Sequence, residues 1–178
     1  MGGGELNEQD LRRLIEAGIS GRRWADLGCG EGNFTLVLSD VLGDAGEVWA
    51  IDRDEGALEE LRRRIDGRAI HIERADFRRP LAVLPQDLDG ILMANSLHFV
   101  KDKGLVLESL LSHLRLHGRF LLVEYGADHG NPWVPHPISL ATWRRLAASV
   151  GLSEPRQLGT YPSRWLGGMY SAVSERTR

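Results

Sequence analysis

Apolar positions along this chain switch between two periods. Short runs of branched, aliphatic and aromatic residues read as strands: "RRWADL" (22–27), "EVWAID" (47–52), "AIHIE" (69–73), "GILMA" (90–94) and "RFLLVEY" (119–125). A later pair is expected near "PRQL" (155–158) and "GMYSAV" (168–173). Between the strands the period becomes helical. Phe34, Leu38 and Val41 share a face, as do Leu58, Leu61 and Ile65. Leu107, Leu110, Leu111 and Leu114 complete an i, i+3, i+4, i+7 stripe, which Trp143, Leu146, Ala147 and Val150 repeat. Ser139 is placed to cap that last helix and Gly151 to stop it. Alternation of strands and helices predicts a mostly parallel sheet covered on both faces. The last two strands have no helix between them, so an antiparallel final hairpin is expected.

Composition narrows the class. A chain of 178 residues suits one domain, with residues 1–20 as an N-terminal helical segment and 21–178 as the core. The apolar fraction of 42% is that of a globular protein. A net charge of −3 offers no global field for nucleic acid or an anionic membrane. One cysteine, Cys29, excludes an internal disulfide or a multi-cysteine metal site and fits a reducing cytoplasm. The start lacks a secretory signal pattern, Leu6 breaks the myristoylation pattern, and no apolar stretch reaches membrane-spanning length.

The candidate chemistry begins at "WADLGCGEGNF" (24–34), where Gly28, Gly30 and Gly32 follow the first strand and open the first long helix. In open α/β sheets ligands lie beyond the carboxyl ends of the strands, where strand order reverses. Alternate glycines let the backbone turn sharply and bring its amides close to a ligand. The dinucleotide fingerprint fails because Asn33 stands at the third glycine position, and the P-loop fails because no Gly-Lys-Ser/Thr follows. Carboxylates at Asp26 and Glu31 suit a positively charged ligand better than a diphosphate.

"DLGCGEGNF", "VWAIDRD", "ADFRRPL" and "ILMANSLHFV", in that order and each closing a predicted strand, resemble the motif series of class I S-adenosylmethionine-dependent methyltransferases. The look is similar to that of quinone-biosynthesis enzymes, and the resemblance runs from about Leu11 to the end of the chain. It implies a Rossmann-like three-layer α/β/α sandwich with a mostly parallel seven-stranded sheet. It also implies roles. Gly28, Cys29, Gly30 and Gly32 would carry backbone along the methionine part and ribose, and Asp26 would anchor the amino group through water. Asp52, with Arg53 beside it, would take the ribose hydroxyls. Asp76 would accept from the adenine amino group, the Phe77 amide would donate to the ring, and Asn95 would lie near the transferred methyl. Plainer readings stand beside these: Asp54 rivals Asp52 but suits a helix N-cap, and Asp76 suits a turn.

Methyl transfer from a sulfonium needs alignment above all, and a general base only when the acceptor must lose a proton. His98 is the candidate base, against the plainer reading of a histidine packed beside Phe99. Tyr125, His129, Trp133 and His136, around the proline-punctuated stretch after the fifth strand, are expected to wall a substrate pocket. Three other features are declined. His113 and His117 read as cations in the last turn of a helix before Gly118 rather than as metal ligands. "HIE" at 71–73 lacks the Cys-x-x-Cys that zinc would need, and "RRR" at 62–64 reads as a solvated face.

The expected activity is in-line methyl transfer to a carbon, oxygen or sulfur of a small molecule, by a cytoplasmic monomer or homodimer that binds neither nucleic acid nor membrane and holds no metal. "NSLH" at 95–98 lacks the prolines of the tetrad used for amino methylation. A cofactor-binding accessory protein without turnover is the alternative. An NAD-dependent dehydrogenase shares the architecture, but Asn33 weighs against it.

Overall fold

In the computed structural model, which describes residues 6–163 and 166–178, one seven-stranded sheet runs in the order β3-β2-β1-β4-β5-β7-β6. The strands are β1 (Arg23–Leu27), β2 (Glu47–Asp52), β3 (Ile70–Arg74), β4 (Leu88–Ala94), β5 (Leu114–Tyr125), β6 (Arg156–Tyr161) and β7 (Met169–Glu175). The first five are parallel to one another. β7 is antiparallel to both β5 and β6, so it lies inside the sheet between them. All seven predicted strands are present, and the architecture is the expected three-layer one.

Period-two alternation explains why both faces need helices. In β4, Ile91 and Met93 join one core with Phe120, Leu122, Trp143 and Tyr170, while Leu92 and Ala94 join the opposite core with Trp24, Phe34, Leu121 and Val123. The helices are α1 (Glu8–Ile15), α2 (Asn33–Leu42), α3 (Glu55–Arg64), α4 (Lys103–Leu111) and α5 (Leu140–Ser149). α1 is followed by a 3-10 turn at Glu16–Gly18, and residues 1–5 of the expected N-terminal segment lie outside the described residues. No helix among the described residues is long and apolar enough to cross a membrane.

Helix ends follow local chemistry. Asn7 and Asp10 form a capping box on α1. Asp54 caps α3 by accepting from the Gly56 and Ala57 amides, and Ser139 caps α5 by accepting from Thr142 N–H. One expectation needs correction. The leucine stripe does not continue to Leu114, because α4 ends at Leu111 and Leu114 starts β5, paired with Leu88 of β4. His117 accordingly sits in β5 with φ of 60°, not in a helical turn.

Candidate active site

The reversal of strand order falls between β1 and β4, and the glycine turn leaves β1 there. Gly28 and Cys29 N–H both donate to Ile51 O, at 2.8 and 3.1 Å, which pins the turn onto β2. The Asp52 carboxylate, at the end of β2, receives Gly30 N–H on Oδ2 at 2.8 Å and Asp54 N–H on Oδ1 at 2.9 Å. Two of the glycines differ in kind. A Cβ on Gly32 would stand 2.2 Å from Leu61 Cδ1, so that position is bare for packing. Gly30, with φ of 53°, has nothing within 4 Å of where a Cβ would go, so its bareness faces open space.

Two cavities meet at this turn, and Gly28 and Asn95 line both. The larger, about 780 Å3, is bordered by Leu11, Cys29, Gly30, Phe34 and Arg64 among others. The smaller, about 110 Å3, is bordered by Asp52, Arg53, Asp76, Phe77, Ser96 and Phe99. Eight residues singled out by the sequence therefore converge: Gly28, Cys29, Gly30, Asp52, Arg53, Asp76, Phe77 and Asn95. Asp26 and Gly32 border neither cavity. Asn95 holds φ of 53°, and its Oδ1 is buried without a hydrogen-bond partner.

Burial pushes the Asp26 carboxyl up to about 7, Thr35 Oγ1 donates to it at 2.6 Å and opposes that rise, and Asp52 adds to it. Burial, with Asp26 and Asp52 nearby, likewise raises the Cys29 thiol and keeps it protonated. At the smaller cavity Arg78 grips Asp76 through Nε at 2.9 Å and Nη2 at 2.6 Å, and holds that carboxyl down to about 2. The sequence gives no sign of the part played by Arg64. Arg62 and Arg63 form surface ion pairs as expected, but Arg64 Nη1 donates to Glu31 O at 2.7 Å and Asn33 Oδ1 at 3.0 Å, bracing the glycine turn.

Beyond β4, His98 is buried, tilted against Phe99 with ring centroids 4.3 Å apart, and borders neither cavity. Its Nδ1 lies 2.9 Å from Glu124 Oε1, and its N–H donates to Glu124 Oε2 at 3.0 Å. Glu124 is fully buried and also accepts Tyr125 N–H at 2.8 Å. The buried Lys103 donates to Val100 O and His136 O, both at 2.7 Å, and His136 N–H donates to His98 O at 3.0 Å. The loop after β5 is thus tied to the loop after β4. Tyr125 meets His98 edge-on at 5.9 Å, His129 is exposed, and Trp133 is 67% exposed. None of Tyr125, His129, Trp133 and His136 borders the two cavities.

His113 is buried just past α4, with Nδ1 3.1 Å from Gln86 Nε2 and 3.2 Å from Pro85 O. His71 stacks on Trp49 at 4.8 Å. Among the described residues no group of three His, Cys, Asp or Glu side chains is placed to hold a metal ion.

An open, mostly parallel sheet with a glycine turn and carboxylates at its switch point defines a Rossmann-like ligand-binding protein. A family model described as a methyltransferase domain matches residues 25–118, and the chain belongs to that family. The ribosomal RNA large subunit methyltransferase E of Chromobacterium violaceum is 26% identical over 150 residues, covering 73% of this chain and 66% of that protein. CurJ carbon methyltransferase superposes with a TM-score of 0.75 at 16% identity, over 89% of this chain but about half, 49%, of that one. Magnesium protoporphyrin IX methyltransferase from Synechocystis PCC 6803, solved with bound SAH, gives a TM-score of 0.73 at 16% identity over 99% of this chain and 90% of that one.

Proposed function

We propose that the protein is an S-adenosylmethionine-dependent methyltransferase acting in line on a carbon, oxygen or sulfur nucleophile of a small-molecule acceptor. One observation carries this reading: the glycine turn at residues 28–32 is open at Gly30 toward the larger cavity, its Gly30 N–H is held by the Asp52 carboxylate that borders the smaller one, and Asn95, which lines both, has a buried Oδ1 with no donor. An unpaired buried acceptor costs about 1–3 kcal/mol, which a ligand N–H or O–H would recover. The residues fit S-adenosylmethionine: Asp52 for the ribose hydroxyls, Asp76 and Phe77 for the adenine, and Gly28 and Gly30 for the methionine part. When bound, that group supplies a methyl on a positively charged sulfur, and the bonding pair returns to sulfur on transfer.

The chain's own contribution is alignment. Bonds from the turn to Ile51 and Asp52 hold it rigid before any ligand arrives, which is where such a reaction gains most. For an acceptor that must lose a proton, His98 is the proposed base; it is buried against Glu124 through Nδ1 and borders neither cavity, so this role requires the acceptor to open a path to its Nε2.

Calorimetry with S-adenosylhomocysteine tests the crevice. Asp52→Ala should weaken binding by about 1–3 kcal/mol through loss of charge-assisted hydrogen bonds. Unchanged affinity removes Asp52 from the site. A product-coupled assay on phenols, thiols and acidic carbon compounds, with a ribosomal RNA transcript as a separate arm, tests the acceptor class. Turnover confined to RNA overturns the small-molecule reading, and binding without any turnover favours an accessory protein. His98→Ala should slow turnover while leaving S-adenosylhomocysteine affinity unaltered, and equal rates would eliminate it as the base.

A further inference from the structure

Asn95 stands in a turn that has to be held in place. Its φ of 53° lies in the left-handed region, which a residue other than glycine keeps only where its surroundings fix it. Residues 95–100 form a short unit with bonds of its own, from Phe99 N–H to Ser96 O at 3.3 Å and from Val100 N–H to Leu97 O at 3.0 Å. Asn95, Ser96 and Phe99 of this unit line the smaller cavity, and Asn95 lines the larger one too.

The unit is anchored from two sides. Toward the sheet, Asn95 N–H donates to Val123 O at 2.9 Å, Ser96 Oγ to Leu27 O at 2.7 Å, and His98 N–H to Glu124 Oε2 at 3.0 Å. On the other side stands the loop after β5. His136 N–H donates to His98 O at 3.0 Å, and the Lys103 ammonium donates to Val100 O and to His136 O, both at 2.7 Å. Lys103 therefore grips the end of the turn and the loop at once. That loop moves as a piece up to His136, because Asn131 Oδ1 accepts from Trp133 and Val134 N–H, both at 2.9 Å, and Asn131 N–H donates to Val134 O at 3.0 Å.

The chemistry at position 103 argues for more than packing. Lys103 is buried, and a buried ammonium is costly even when bonded, so an apolar side chain of similar length would fill the space more cheaply. Burial lowers the ammonium from its usual value, and the Glu124 carboxylate opposes that shift. What an apolar side chain cannot do is hold carbonyls of two loops together.

We infer that Lys103 is a positioning residue that couples the Asn95 turn to the loop after β5, so that a ligand seated against Asn95 also tightens residues 131–136. This rests on the methyltransferase reading above. Such coupling is reciprocal: whatever binds the loop raises the affinity for cofactor by the same factor that cofactor raises the affinity for it. An acceptor that touches the loop would therefore bind more tightly to the cofactor-loaded protein than to the empty one.

Hydrogen exchange with and without saturating S-adenosylhomocysteine reads the coupling, on peptides covering residues 95–100 and 128–137. In the wild type the ligand should slow exchange at least threefold in both. In Lys103→Met it should slow exchange in residues 95–100 alone, and its dissociation constant should rise at least fivefold. Leu152→Ala, at a buried position beyond the end of α5, controls for lost stability. It should melt lower yet keep S-adenosylhomocysteine affinity within twofold. The inference is overturned by a Lys103→Met that keeps the slowing at 128–137 or loses less than fivefold in affinity, and by a Leu152→Ala that loses more than twofold. The wild-type arm needs no variant to fold: normal S-adenosylhomocysteine binding with exchange at 128–137 unaltered overturns this inference alone. Failure of S-adenosylhomocysteine to bind the wild type overturns the methyltransferase reading and this inference with it.

Discussion

Asp26 is the residue whose environment most changes its chemistry. It is 1% exposed, Thr35 donates to it, and its carboxyl is raised to about 7, first by burial. In the unfolded chain the same group ionises near 3.9. A folded value above the unfolded one means that the stability gained by keeping the proton is complete below about pH 4 and is lost as pH rises through about 7. Asparagine keeps an acceptor for Thr35 and never ionises. Without cofactor, Asp26→Asn should melt close to the wild type near pH 4.5 and be more stable at pH 8. The expected gain there is about 2–4 kcal/mol, since each tenfold change in an acidity constant corresponds to roughly 1.4 kcal/mol. A difference that stays constant across this range, in thermal melts, would refute the burial argument. At this scale residue type is informative where it has one dominant backbone use, as in Gly30 and in Asp54 as an N-cap. The role of Arg64 is not legible, since nothing in "RRR" marks which arginine turns back to the glycine turn. The partner of His98 is not legible either, because Glu124 lies 26 residues away on a neighbouring strand.

Helix ends show how far local signals reach. Ser139 is recognisable as a cap, and it accepts from Thr142 N–H while its own N–H and hydroxyl donate to Asp128 at 3.0 and 2.7 Å. Ser139→Ala removes the cap and one bond to Asp128, so a loss of about 1–2 kcal/mol is expected, read from the urea midpoint at unchanged slope. No shift in midpoint would show that α5 is held by tertiary packing alone. The leucine stripe marks the opposite case. Leu107, Leu110 and Leu111 lie in α4, but Leu114 has the same spacing and belongs to β5. A short apolar run does not reveal whether its next member will pair across a sheet, and pairing of Leu114 with Leu88 decides the matter here. His117 and Gly118 fall where the pairing jumps from Leu88–Leu114 to Gly90–Arg119, and at this irregularity the histidine sits in left-handed backbone rather than at a helix end.

At the scale of the molecule, the crevice is legible because an alternating strand and helix pattern dictates where strand order reverses, and the glycine turn marks the spot. A cavity of about 460 Å3 bordered by residues 126, 140, 161–162 and 169–170 is not, because these come together through the placing of β7 between β5 and β6. That placement also governs how the chain is made. β5 and β6 are both synthesised before the strand that separates them, so Phe120–Val123, which end up fully buried, wait beside an unpaired edge until residues 169–175 leave the ribosome. Throughout that interval the nascent protein offers other chains a ready-made template for pairing, and its safe assembly depends on translation outrunning aggregation.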